Sequence, residues 1–226
     1  MSEIPIDTTM QAAASRSATD HPPSGVPGPG SLSPEDATRA SIYALLARLY
    51  ADGPDSALLA AIANSKTISG DTLFAAAWNR LVEASGAMDA EAAAQEYTDL
   101  FIGVGKSEVN LHASHWQVGA MMERPLVELR SDLAALGLAR RAEVTMLEDH
   151  LSALCETMRL LIAGGPGTAA ADISLQRAFF AAHVTPWVFD CCNAIRDSAI
   201  AKYYVHVAEL TDKFMALDRD ALAMDG

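Results

Sequence analysis

From Ser33 to Asp218, apolar residues return at three- and four-residue spacings in stretches cut short by Gly, Pro, Ser or Asp, and no window alternates convincingly with period two. A spacing near 3.6 places such side chains on one face of a helix, whereas a half-buried strand needs every second one. The chain therefore reads as all-α: a single-domain bundle of about eight or nine helices with no sheet. Composition agrees, because half the residues are hydrophobic but alanine supplies much of that half and only 6% are aromatic, a mixture suited to close-packed helices. A length of 226 residues accommodates one domain with a hydrophobic core.

The helical region announces its own beginning. Ser33-Pro34-Glu35-Asp36 offers a serine cap, a proline at the first helical position and two acids in the first turn, and Ile42, Leu45, Leu46, Leu49 and Tyr50 supply the stripe that follows. Further helices are expected at about 55–64, 71–85, 89–102, 114–136, 147–163, 171–183, 185–197 and 199–218, with a glycine-containing loop over 103–113. Pro125 falls inside the longest of these patterns and predicts a kink or break there. Residues 1–32 hold five of the ten prolines and read as a disordered tail, which leaves 33–226 as the folded domain.

Charge and cysteine usage narrow the functional classes. A net charge of −13 repels phosphate backbones and anionic lipid headgroups, so neither nucleic acid nor a membrane surface suits this chain, while a basic peptide is drawn to it. Cys155, Cys191 and Cys192 are odd in number and lack metal-finger spacing, which points to a reducing compartment. With neither a secretory signal pattern nor a run of about 18 apolar residues, the expected location is the cytoplasm and no stable membrane insertion is expected.

Several chemistry-bearing patterns weaken on inspection. Gly103-Val104-Gly105-Lys106-Ser107 ends like a phosphate-binding loop, but Leu100 stands where the first glycine belongs and the preceding segment is helical, so a helix-ending glycine turn is favoured. His112 and His115 form an HxxH pair, and His150 follows Glu148 and Asp149, without a second ligand pair of recognisable spacing. Ser114-His115 lacks a nucleophile elbow, and the vicinal cysteines read as small buried hydrophobes. No catalytic residue, metal site or cofactor is assigned.

Two segments carry more. In Glu96-Tyr97-Thr98-Asp99-Leu100-Phe101 the three apolar residues share a helix face with acids flanking it, just ahead of the glycine loop. In Glu148-Asp149-His150-Leu151, continuing to Met158, an apolar stripe of Leu151, Leu154, Cys155 and Met158 faces the core, with Asp149 opening the helix and His150 at the stripe's edge. On residue chemistry alone these are a helix-capping acid and a half-buried histidine. Both are expected near the surface, so that exchanging them for alanine would leave the fold largely intact.

These segments, in this order and about 50 residues apart, resemble the signature of the TorD/DmsD family of redox-enzyme maturation chaperones, and the likeness extends over most of 34–218. The matching pieces are Tyr97 to Phe101, Gly103 with Gly105, Ala113-Ser114, the Glu148 to Leu151 helix start with Glu156 and Met158, and Phe179, His183, Trp187 and Tyr203-Tyr204 toward the end. Leu111-His112 stands where relatives often carry proline and an aromatic, and the first 32 residues lie outside the pattern.

The resemblance implies an all-helical, cytosolic, non-catalytic protein that binds the twin-arginine leader, or the body, of a molybdenum-cofactor oxidoreductase subunit until the cofactor is inserted and export proceeds. By position it implies peptide-binding roles for Tyr97, Leu100, Phe101, Gly105, Ser114, Asp149 and His150. Monomers and segment-exchanged dimers are both compatible with the exposed apolar helix faces. A helical adaptor for an unrelated partner, and a metal- or nucleotide-binding enzyme, are the other classes the residues leave open.

Overall fold

The computed structural model describes residues 10–12, 32–103, 105–119 and 123–224. Apart from residues 10–12 and Leu32, the proline-rich tail expected over 1–32 lies outside the described residues. The elements are β1 (Met10–Ala12), α1 (Pro34–Ala51), α2 (Ser56–Ala63), α3 (Leu73–Ala87), α4 (Ala90–Tyr97), a π turn (Thr98–Ile102), α5 (Ala113–Val118), α6 (Arg124–Ala135), β2 (Leu138–Arg140), α7 (Leu151–Ala163), α8 (Ile173–His183), α9 (Val188–Asp197) and α10 (Tyr204–Met224).

The class is the expected all-α bundle, with ten α-helices among the described residues because the pattern read over 114–136 divides into α5 and α6. The break lies just before Pro125, the second residue of α6, where the missing N–H is needed for no intrahelical bond. The bundle carries one small addition, an antiparallel pairing of Met10–Ala12 with Leu138–Arg140 in the register Met10↔Arg140. Three residues on each side are too few to show alternation in the sequence.

α7 is the centre of the fold. Every residue from Leu151 to Ile162 except Arg159 is buried, as expected of a helix surrounded by others, and α1 is its most extensive neighbour. Glu156 lies inside this apolar environment at 1% exposure, and Arg159 holds its carboxylate with two bonds of 2.7 and 2.8 Å. α10 packs on α3, α8 and α9, and Asp218 on it accepts from Tyr43 Oη at 2.6 Å and Arg39 Nε at 2.6 Å, which ties α10 to α1.

Helix ends are satisfied by groups distant in the chain. The last carbonyls of α1, on Leu49, Tyr50 and Ala51, accept from the hydroxyls of Tyr204 and Tyr97 at 2.8–3.1 Å. The Glu96 carboxylate, at the end of α4, accepts the backbone N–H groups of Lys202, Tyr203 and Tyr204 at 2.8–3.0 Å and so caps α10 from outside. α10 therefore begins at Tyr204 rather than near 199.

Candidate functional site

The residues singled out in the sequence gather in two places. At the end of α4 the helix widens into the π turn, and Tyr97, Leu100 and Phe101 turn inward at 6%, 0% and 8% exposure. The rings of Tyr97 and Phe101 lie edge-on with centroids 5.2 Å apart, and Phe101 meets Tyr204 at 5.0 Å and Tyr50 at 6.2 Å. Edge-to-face rings at such distances add to the gain from burial alone. Burial pushes the Tyr97 hydroxyl up to about 12, with Asp52 adding to the shift, so it remains a donor to the α1 carbonyls.

Gly103 ends the turn with φ +65° and donates its N–H to Thr98 O at 2.7 Å, and a Cβ there would stand 2.2 Å from the Lys106 carbonyl oxygen. This is the helix-ending glycine turn that the residue pattern favours over a phosphate loop. Gly105, two positions on, is exposed with φ +86°, and a Cβ there meets nothing within 4 Å.

The loop then runs back to α7. Val109 N–H donates to Leu100 O at 2.9 Å, Leu151 N–H to Leu111 O at 2.8 Å, and Ala113 N–H to Asp149 O at 2.9 Å, so residues 111–113 lie antiparallel beside 149–151. Across this seam Asp149 Oδ2 accepts from the Ser114 amide at 3.0 Å and the Ser114 hydroxyl at 2.5 Å. Asp149 does not cap its own helix. His150 is the cap of α7, its Nδ1 accepting from Ser152 N–H at 3.2 Å, which places the ring proton on Nε2.

The expectation that Asp149 and His150 lie near the surface is overturned: they are 1% and 7% exposed. The cause is the pairing of residues 111–113 against 149–151, a contact across the chain that no local spacing announces. Burial, reinforced by His112, lowers His150 to about 3, so the ring is neutral at neutral pH. His112 lies edge-on to it at 4.9 Å and is itself lowered, chiefly by burial, with Asp149 opposing the shift. Its Nδ1–H donates to Asn110 Oδ1 at 3.1 Å.

Beside this junction, Glu148 is held by Arg130 at 2.9 Å and Arg140 at 3.2 Å. Burial acts to raise its carboxyl, but the hydrogen bonds and charge of Arg130, with help from Arg140, outweigh that and leave it below the usual carboxylate range. On the other side a cleft of about 320 Å³ opens between α5, α6 and α8, lined among others by Gln117, Glu128, Leu129, Asp132, Asp149 and His183. Asp132 Oδ2 meets His183 Nε2 at 2.7 Å.

Glu128 and Asp132 were not singled out in the sequence, although their spacing of four on a helix puts them on one face. Nothing local says that this face borders Asp149. Among the described residues no group of three His, Cys, Asp or Glu side chains is placed to hold a metal ion, and no helix is long and apolar enough to cross a membrane. Cys155, Cys191 and Cys192 are buried, and burial raises each of them far above the reactive range, reinforced by the Cys192 thiol for Cys155 and Cys191 and by Asp212 for Cys192.

The fold and this junction define a helical bundle whose polar seam opens on an acidic cleft. Residues 69–193, just over half of the chain and the part that contains both singled-out segments, match the family described as nitrate reductase delta subunit. The chain belongs to that family of molybdoenzyme maturation chaperones, in agreement with the TorD/DmsD resemblance. It is a family of chaperones rather than of enzymes. No curated protein matches the chain.

Proposed function

We propose that the protein acts in the cytoplasm on a molybdenum-cofactor oxidoreductase subunit, binding its twin-arginine leader peptide, its body or both while the cofactor is inserted and before export. The observation that carries this reading is the seam joining the start of α5, beyond the first singled-out segment, to the second. It places Ser114, Asp149 and His150 together beside a cleft lined by Glu128 and Asp132. A leader has a basic region followed by an apolar one, and an acidic cleft in a protein of net charge −13 complements the first of these.

Within this reading the seven residues divide by depth. Asp149 borders the cleft and contributes a polar contact, Ser114, wholly buried, holds its carboxylate in place, His150 holds the helix start behind them, and Gly105 lies on the exposed loop. Tyr97, Leu100 and Phe101 set the shape of the site from inside the core, where they are buried.

The test is maturation of the client in cells. Deleting the gene should leave the molybdoenzyme subunit encoded nearby low in molybdenum and unexported, and a plasmid copy should restore both. Full cofactor content in the deletion strain would exclude this role.

A further inference from the structure

Asp149, which lines the cleft between α5, α6 and α8, carries an acceptor without a donor. Asp149 is 1% exposed, its Oδ2 serves Ser114 twice, and its Oδ1 accepts no hydrogen bond from the protein. A buried carboxylate oxygen left in this way costs free energy that an incoming N–H donor recovers. Two more carboxylates, Glu128 and Asp132, stand at the rim, and the described lining includes neither lysine nor arginine. Glu128 pairs with Arg124 across an exposed turn of helix, with side chains 54% and 86% accessible, an interaction that exchanges at little cost. Asp132 holds His183, and a carboxylate accepts from more than one donor.

We propose that this cleft is a subsite for one arginine side chain of the client, with Asp149 Oδ1 at its floor and Asp132 and Glu128 at its rim. The inference rests on the client-binding reading given above and adds the identity of the group recognised. A guanidinium fits better than an ammonium, because its planar fork of five donors addresses separated carboxylates at once. A metal ion is the poorer occupant, since no described group of three ligands is arranged to hold one. Pro125 and Leu129 supply apolar wall for the arginine's methylene stem.

The test is a calorimetric titration of the full chain with the leader peptide of the molybdoenzyme subunit encoded nearby, in its native form and with each arginine in turn replaced by citrulline, a neutral analogue of similar shape. Asp132→Asn and Glu128→Gln are the protein variants, because both side chains are more than half exposed and their exchange spares the core.

One citrulline substitution should weaken binding about tenfold, in line with loss of a charge-assisted hydrogen bond. D132N should weaken the native peptide and leave that citrulline peptide unaffected. Equal affinity of the native and all the citrulline peptides, or equal weakening of all of them by D132N, overturns the subsite while leaving leader binding intact. If no form of the peptide binds, the leader reading fails by itself, and N-acetyl-arginine methylamide followed by NMR then decides on the cleft. Shifts around Asp132 and His183 that D132N abolishes uphold it, and their absence overturns it.

Discussion

Asp149 and Ser114, 35 positions apart in the chain, are joined twice, through the Ser114 amide at 3.0 Å and the Ser114 hydroxyl at 2.5 Å, both donating to Asp149 Oδ2. The start of α5 is thereby fastened to the start of α7, the central helix. A residue proposed to meet the client also holds the fold, and the two roles need separate measurements.

Asp149→Ala should cost about 2–4 kcal/mol in urea denaturation, because it strands a buried amide and a buried hydroxyl. Ser114→Ala, which removes only the hydroxyl, should cost about 1 kcal/mol. If Asp149→Ala is as stable as the parent, the seam contributes nothing to the fold. Peptide binding by either variant is interpretable once circular dichroism shows native helix content.

Glu96 caps α10 with one carboxylate shared among three N–H groups. Glu96→Ala should lower stability by about 2–3 kcal/mol, more than an ordinary surface cap, since the site is partly dehydrated and the helix is left without its compensating charge. Glu96→Gln retains an acceptor oxygen and should lose about 1 kcal/mol. Hydrogen exchange should show the loss concentrated in the first turns of α10.

The two loop glycines should behave differently. Gly103→Ala must open a 2.2 Å approach to the Lys106 carbonyl as well as hold φ +65°, and should cost several kcal/mol, well beyond the ~1 kcal/mol of a non-glycine residue in that region. Gly105→Ala meets no neighbour and should stay near that lower figure, so any loss of client binding in it reflects the loop surface. Thermal denaturation of the two variants makes the comparison.

Acid should destabilise the protein through His150. The unfolded ring takes a proton near 6.5, while the folded ring resists until about 3, so between these values the unfolded state binds more protons and stability falls as pH falls. One such group contributes a slope of about 1.4 kcal/mol per pH unit across that window. His112, also lowered, acts in the same direction, and Glu148, held below its usual range, adds its share at the acid end. His150→Asn retains a capping side chain and should flatten the slope measured by urea denaturation between pH 6.5 and about 4. An unchanged slope would mean that the ring is protonated in the folded protein.

What the sequence made legible was local. Ser33 caps α1 as its motif announces, with the Asp36 N–H donating to Ser33 Oγ at 3.0 Å, and Pro125 marks the division of α5 from α6. Apolar spacing located the helices because each must bury one face. Two starts that differ, at Leu151 and Tyr204, are those whose capping group is not the one the local pattern indicates: His150 instead of Asp149 for α7, and Glu96, more than 100 positions away, for α10.

The candidate site shows the same division. Tyr97, Leu100, Phe101, Ser114, Asp149 and His150 were marked by pattern, but spacing carries no information on depth, and the seam that buries Asp149 joins positions 35 apart. Glu128 and Asp132 stand on an ordinary acidic helix face until α8 and the seam close around it. The β1–β2 pairing also joins distant segments, each only three residues long.

The central claim is that this chaperone holds a molybdoenzyme leader, and calorimetric titration of the full chain tests it most directly, using the leader of the subunit encoded nearby beside a scrambled peptide of equal charge. The account expects binding to the leader alone, with a negative heat-capacity change from buried apolar surface. Equal heats from both peptides would reduce the interaction to charge attraction, and silence from both would contradict the claim.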